Sequence, residues 1–157
     1  MTIQQFESDI ERYKNMIYGI ALTQLCTISD ADDVFQDVFL LYYSKDPTFT
    51  DDEHRKAWLI NTALNFCKRA NSGHKRRKLP PPEERFTYRT DEENRLFEAL
   101  LTLPKKYRVP LYLHYFTGMP IAEIARILGV RYGTVQVQLV RGRNKLKDIL
   151  GGDSYEK

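Results

Sequence analysis

Three consecutive prolines, Pro80, Pro81 and Pro82, stand near the middle of the chain, and neither a regular helix nor an interior strand can run through them. They belong to LPPPEERFTYRT (79–90), a segment expected to be stiff and extended. A length of 157 residues admits one domain or two small ones, and the prolines favour two. The expected division is 1–78, a linker at 79–90, a second domain at 91–150 and a tail at 151–157.

Apolar spacing on both sides of the linker is that of helices. Phe6, Ile10, Tyr13, Ile17 and Ile20 recur at steps of four and three, which keeps one helical face apolar. A second helix is expected to start at Ser29, where Ser29-x-x-Asp32 has the form of a capping box. Its apolar positions Val34, Val38, Leu41 and Phe35, Phe39, Tyr42 cover two faces, which suits the centre of a bundle. SKDPTFTDDEH then breaks the pattern with Pro47 and clustered turn formers. A third helix is expected from about His54 to Ala70, burying Ala57, Ile60, Leu64 and Cys67. Asn71-Ser72-Gly73 weakens it, and a basic HKRRK follows.

After the linker, Thr90-x-x-Glu93 offers another capping box, for a helix through Leu96, Phe97, Leu100 and Leu101. Pro104 opens the next helix, which carries Leu111, Tyr112, Tyr115 and Phe116 and stops at Gly118. Pro110 falls inside its first turns, where it costs a backbone hydrogen bond and favours a kink. No strand alternation and no internal repeat appear. The fold class is therefore all-α: two small helical domains joined by a proline-rich linker.

Composition excludes several classes. An apolar share of 42% is too high for wholesale disorder. No apolar run approaches the roughly 18 residues of a membrane span, and MTIQQFESDIERYK lacks the pattern of a signal peptide. The two cysteines, Cys26 and Cys67, are far apart, which argues against a disulfide framework or a cysteine zinc site. His54, His74 and His114 are scattered, so no metal and no other cofactor is expected. These features point to the cytoplasm.

A net charge of only +3 hides strong segregation. Residues 29–53 hold eight acids and one base, while 54–78 hold eight bases and no acid. Residues 79–100 come to −3, and 101–157 come to +6 from ten bases and four acids. Two basic blocks with an acidic one between them suggest two contact points on a polyanion.

The most specific stretch is MPIAEIARILGVRYGTVQVQLVRGRNKLKDIL (119–150). Ile121, Ile124, Ala125 and Leu128 make a short amphipathic helix, and Gly129 can end it in the left-handed conformation. Three residues separate it from Gly133-Thr134-Val135, where a second helix begins, burying Val135, Leu139, Gly142, Leu146 and Ile149. Ala125 lets the helices approach, Gly129 supplies the turn and Val135 plugs the angle. This is a helix-turn-helix, whose second helix can enter the major groove of DNA. Its solvent side carries Thr134, Gln136, Gln138, Arg141, Arg143, Asn144, Lys145 and Lys147. Gln136 and Gln138, near the start, suit base edges; Arg141, Arg143 and Lys145, further along, suit phosphates.

AEIARILGV..GTV..QL.RGR.KL resembles region 4 of the extracytoplasmic-function sigma factors, the smallest bacterial promoter-recognition subunits. DADDVFQDVFL (30–40) is similar to their region 2.2, KAWLINTALNFCKR (56–69) to regions 2.3 and 2.4, and LPKKYRVPLYLHYFTGMP (103–120) to region 4.1. The resemblance implies that Asp32, Asp33, Gln36 and Asp37 bind the clamp helices of core RNA polymerase. It implies that Lys56, Asn61, Asn65, Lys68 and Arg69 contact the minus-ten promoter DNA, with the loop Pro47–Glu53 helping to hold an unstacked base. Trp58 suits either a DNA stack or the core. It further implies minus-thirty-five recognition by Arg131, Tyr132, Thr134, Gln136, Gln138, Arg141, Arg143 and Lys145. The chain departs from the family where Lys or Arg is common and it has Gln136 and Gln138, and where a polar residue is common and it has Val137 and Val140.

The expected function is that of a sigma factor, a dissociable subunit that brings promoter specificity to core RNA polymerase and helps melt DNA. No catalytic residues, no membrane insertion and no small-molecule substrate are expected, and the family implies an anti-sigma factor as partner. A stand-alone helix-turn-helix repressor or activator is the main rival, but it has no need of an acidic helix at 29–41. An enzyme of RNA metabolism is a second rival, and no active site for it is visible.

Overall fold

Every regular element among the described residues is helical. The structure is a computed structural model and describes residues 1–25, 27–72 and 91–151. The chain divides into two compact units, Met1–Phe86 and Thr87–Lys157. Pro80, Pro81 and Pro82, the HKRRK run, Thr90, His74 and Cys26 lie outside the described residues.

The first unit packs α1 (Ile3–Leu25), α2 (Ile28–Lys45) and α3 (Asp52–Ser72) against one another. Its core takes Tyr13, Ile17 and Ile20 from α1, Val34, Val38, Phe39 and Tyr42 from α2, and Leu59, Ile60, Ala63 and Cys67 from α3. Ala57 and Leu64, expected in this core, are only half-buried, because Leu59 and Ala63 turn inward in their place.

Side-chain caps start α2 and α3, and a left-handed residue ends α2. The start of α2 lies earlier than expected: Thr27 is the cap, its Oγ1 accepting the Asp30 N–H at 3.1 Å. The Ser29–Asp32 box does not form, since both residues already lie inside the helix and Asp32 accepts from the Tyr18 hydroxyl. At the other end Asp46 takes up a left-handed conformation, φ 44°, and its N–H bonds the Tyr42 carbonyl. Asp51 then caps α3 by accepting the His54 N–H at 2.8 Å, so that helix begins two residues before His54.

In the second unit α4 (Asp91–Leu101) leads to α5 (Lys105–Leu111), which continues as a wider π turn over Tyr112–Phe116. Every residue from Tyr107 to Leu113 is buried, so this segment is the axis of the unit. Phe97, Tyr112 and Phe116 pack around it, the last two stacked with centroids 5.1 Å apart. Pro110 does not stop the helix. The bond it forfeits is to the carbonyl of Lys106, an exposed residue that water can serve, and the helical path continues into the π turn. Tyr115, expected among the apolar positions, is 39% exposed.

Helices α6 (Ile121–Leu128) and α7 (Tyr132–Leu150) complete the unit. Gly129 has φ 70°, and the N–H groups of Gly129 and Val130 bond back to Arg126 and Ala125 at 3.3 and 3.0 Å. That pattern needs a left-handed residue and fixes the turn. Helix α7 begins at Tyr132 with Arg131 as its cap, a residue earlier than Gly133. Val135, Leu139, Gly142 and Leu146 are buried as expected, but Ile149 is 49% exposed, since the core contact ends one turn before it.

Candidate functional site

Helix α2 presents two kinds of acid. Asp33, Gln36 and Asp37 are exposed on its outward face, at the three- and four-residue spacing that groups them. Asp32 is half-buried and held to α1 by the Tyr18 hydroxyl at 2.5 Å. Burial, with that hydrogen bond, pushes the Tyr18 hydroxyl up to about 12. Leu40, 67% exposed, and Tyr43, 45% exposed, extend the same side of the helix. Sequence reasoning passed over both; the available signal was an apolar residue three positions after Asp37, off the core pattern.

The loop after α2 is anchored by Phe49. Its ring packs against Tyr42, Trp58 and His54, and the Arg55 guanidinium lies 5.1 Å from its centre. Trp58 is half-buried and touches Tyr42 as well, so it belongs partly to the core. Behind the loop is a buried polar chain that periodicity does not disclose. Arg55 Nε donates to the Tyr42 hydroxyl at 3.2 Å, and that hydroxyl donates to the buried Asp9 carboxylate at 2.7 Å. Asp52 joins it to α1, accepting from Arg55 at 2.6 Å and Arg12 at 3.0 Å. The Arg12 hydrogen bond holds the Asp52 carboxyl below the ordinary carboxylate range.

Of the α3 candidates, Asn61, Asn65, Lys68 and Arg69 are exposed and fall within one stripe. Lys56 is half-buried and lies between about a third and half a turn round the helix from each of them, outside the stripe. Arg69 lies over the Phe66 ring at 5.0 Å, which orients its side chain.

On α7 the eight candidates do not share one face. Arg131, Tyr132, Thr134, Gln136, Arg141 and Lys145 are exposed. Gln136 and Gln138 stand about 200° apart round the axis, on opposite flanks. Gln138 is half-buried, its side-chain oxygen enclosed without a hydrogen-bond partner among the described residues, beside Lys106, Thr134 and Arg141. Arg143 is half-buried and donates to the Tyr115 hydroxyl at 2.8 Å. The line facing directly outward is Gly133, Val137, Val140 and Asn144, with Arg141 beside it. Arg108 adds to the positive charge of this unit but is buried, bonding the Leu101 carbonyl at 3.4 Å.

This arrangement, a three-helix unit with an acidic outer helix and a helix-turn-helix unit after it, matches two family models in order. Residues 10–77 match sigma-70 region 2 and residues 93–146 match sigma-70 region 4. Among curated proteins, the chain is 30% identical over 135 residues to the RNA polymerase sigma factor SigZ of Bacillus subtilis, covering 79% of this chain and 74% of that one. The chain belongs to the extracytoplasmic-function sigma factors. It is 28% identical over 151 residues to the ECF sigma factor SigM of Mycobacterium tuberculosis, covering 93% of this chain and 77% of the relative. The fold is that of the sigma factor RpoE of Bartonella quintana, solved in complex with the anti-sigma factor NepR, with a TM-score of 0.73 at 21% identity over 96% of this chain and 99% of that one. In sigma-factor terms, α1–α3 are region 2 and α4–α7 are region 4. Among the described residues no helix is long and apolar enough to cross a membrane, and no group of three potential ligands could hold a metal ion.

Proposed function

We propose that this sigma factor binds core RNA polymerase through α2, reads and helps melt the minus-ten region through α3 and its preceding loop, and reads the minus-thirty-five element through α7. One observation carries the proposal. An exposed acidic face on α2 and a basic helix-turn-helix occur in one chain, in the order of regions 2 and 4.

Within that reading, residues 1–78 are the polymerase-binding and minus-ten domain, 79–90 the linker, 91–150 the minus-thirty-five domain and 151–157 a tail. Asp33, Gln36 and Asp37 meet a basic surface of the polymerase, while Asp32, tied to Tyr18, holds the helix that presents them. Asn61, Asn65, Lys68 and Arg69 serve the minus-ten DNA as a stripe, and Lys56 meets it from another side of the helix. Arg131, Thr134, Arg141 and Lys145 are placed for phosphates; Tyr132, Gln136 and Gln138 reach the groove from the flanks, and Arg143 is steered by Tyr115. The chain catalyses nothing itself, acts in the cytoplasm and is regulated by an anti-sigma factor that covers these surfaces. A stand-alone dimeric regulator leaves the α2 face without a purpose.

The test is reconstitution with purified core polymerase and sequencing of transcript starts. A common minus-ten and minus-thirty-five pattern is expected upstream of the starts. Asp33→Lys with Asp37→Lys should weaken capture of core polymerase by a few kcal/mol if the pair is buried in the complex, and less at a rim. Capture unchanged by the double substitution, with the helical signal intact, rejects the α2 assignment.

A further inference from the structure

Three residues on the outward line of α7 stand outside the core. Val137 and Val140, one turn apart, are 46% and 47% exposed. Valine is stiff at χ1 and a weak helix former, so neither packing nor local propensity accounts for two of them in mid-helix. Gly133, one turn before Val137, is exposed and has no positive φ. A Cβ built there meets no atom within 4 Å. Glycine weakens a helix relative to alanine, and its use here is explained by neither the backbone nor the interior. Gly142 makes the contrast, since a Cβ there would lie 2.7 Å from Leu111 Cδ1.

A helix bare on the outer side of its first turn, with two apolar side chains just beyond, is shaped for close approach to an external surface. Exposed Thr134 and Arg141 border this line on one side and Gln136 on the other. The partner must therefore be anionic, rich in hydrogen-bonding edges, and apolar at a few points. The floor of the DNA major groove fits, and its apolar group is the C5 methyl of thymine.

Resting on the assignment of α7 to the minus-thirty-five element, we infer that Val137 and Val140 read thymine methyl groups there. Gly133 lets the start of α7 settle deeply enough to bring them into contact.

The test uses holoenzyme and double-stranded promoter DNA taken from the transcript-start experiment. Each thymine of the minus-thirty-five element is replaced singly by uracil, which pairs alike and lacks only the methyl. At one or more positions binding should weaken about fourfold, the transfer free energy of one methyl group. Val137→Ala or Val140→Ala should abolish the sensitivity at that position, and both side chains are exposed enough to be shortened without unfolding. Equal sensitivity in the wild type and both variants assigns the methyls to other residues and overturns the inference, as does an element without thymine on either strand. If uracil is harmless everywhere but scrambling the element still weakens binding, the methyl reading falls and α7 remains the reader. If scrambling has no effect, both readings fall together.

Discussion

Asp9 is a carboxylate enclosed in the first unit, and a buried carboxylate persists only where donors reach it. Tyr42 supplies that donor, and Arg55 bonds the same hydroxyl from outside. Tyr42→Phe keeps the ring packing and removes both bonds, so urea unfolding should show a loss of about 1–3 kcal/mol. A loss no larger than that of an exposed tyrosine variant would mean water already serves Asp9. The same hydroxyl makes a pH prediction. Burial, with the Asp9 hydrogen bond, pushes Tyr42 up to about 12, and Tyr18 behaves alike beside Asp32. Both shifts favour the neutral hydroxyl in the folded state, so their contribution is whole below pH 10 and is lost as pH rises towards 12. Tyr18 and Tyr42 should therefore ionise late in an absorbance titration, together with loss of helical signal. None of this was legible in the sequence, because Asp9 sits among polar neighbours and its partner lies 33 residues away.

At the scale of elements, the two glycines of α7 have opposite meanings. Gly142→Ala places a methyl group against Leu111 and Tyr107 where α7 crosses α5. Overpacking of that kind costs about 1–3 kcal/mol, only partly offset by the helix preference of alanine, so region 4 should melt at lower temperature. Gly133→Ala meets no atom within 4 Å and should raise stability, by up to about 1 kcal/mol. Thermal unfolding of the pair distinguishes them, and equal behaviour would dismiss a close crossing at Gly142. The helix-turn-helix was readable because Ala125, Gly129 and Val135 each meet a steric demand that few residues satisfy. Helix ends were less so. Thr27 and Ser29 are both good caps, and only the bond from the Asp30 N–H to Thr27 Oγ1 decides between them. Side-chain directions on α7 were less legible for a related reason: Gln136 and Gln138 are close in sequence, but two residues is more than half a turn.

Over the whole molecule, two small units on one chain each offer a limited footprint on DNA. The free protein should bind duplex promoter weakly, whereas in holoenzyme the two contacts act at high effective concentration and binding becomes tight and promoter-specific. Titrating labelled promoter with free chain, core polymerase and holoenzyme measures this directly. Tight, dimeric, sequence-specific binding by the free chain would instead favour a stand-alone regulator. The division into units was plain from three prolines, and the charge segregation pointed to a polyanion. Net charge alone overstated what is available, because Arg108 is spent inside the second unit.

The outward line of α7 stands outside the core of its own unit. If the two valines read thymine methyls as inferred, a codon change at Val137 or Val140 leaves folding almost untouched and alters only which sequences are favoured. Gene duplicates of such a chain can drift apart in the promoters they serve, one substitution at a time, without first acquiring a stabilising change elsewhere.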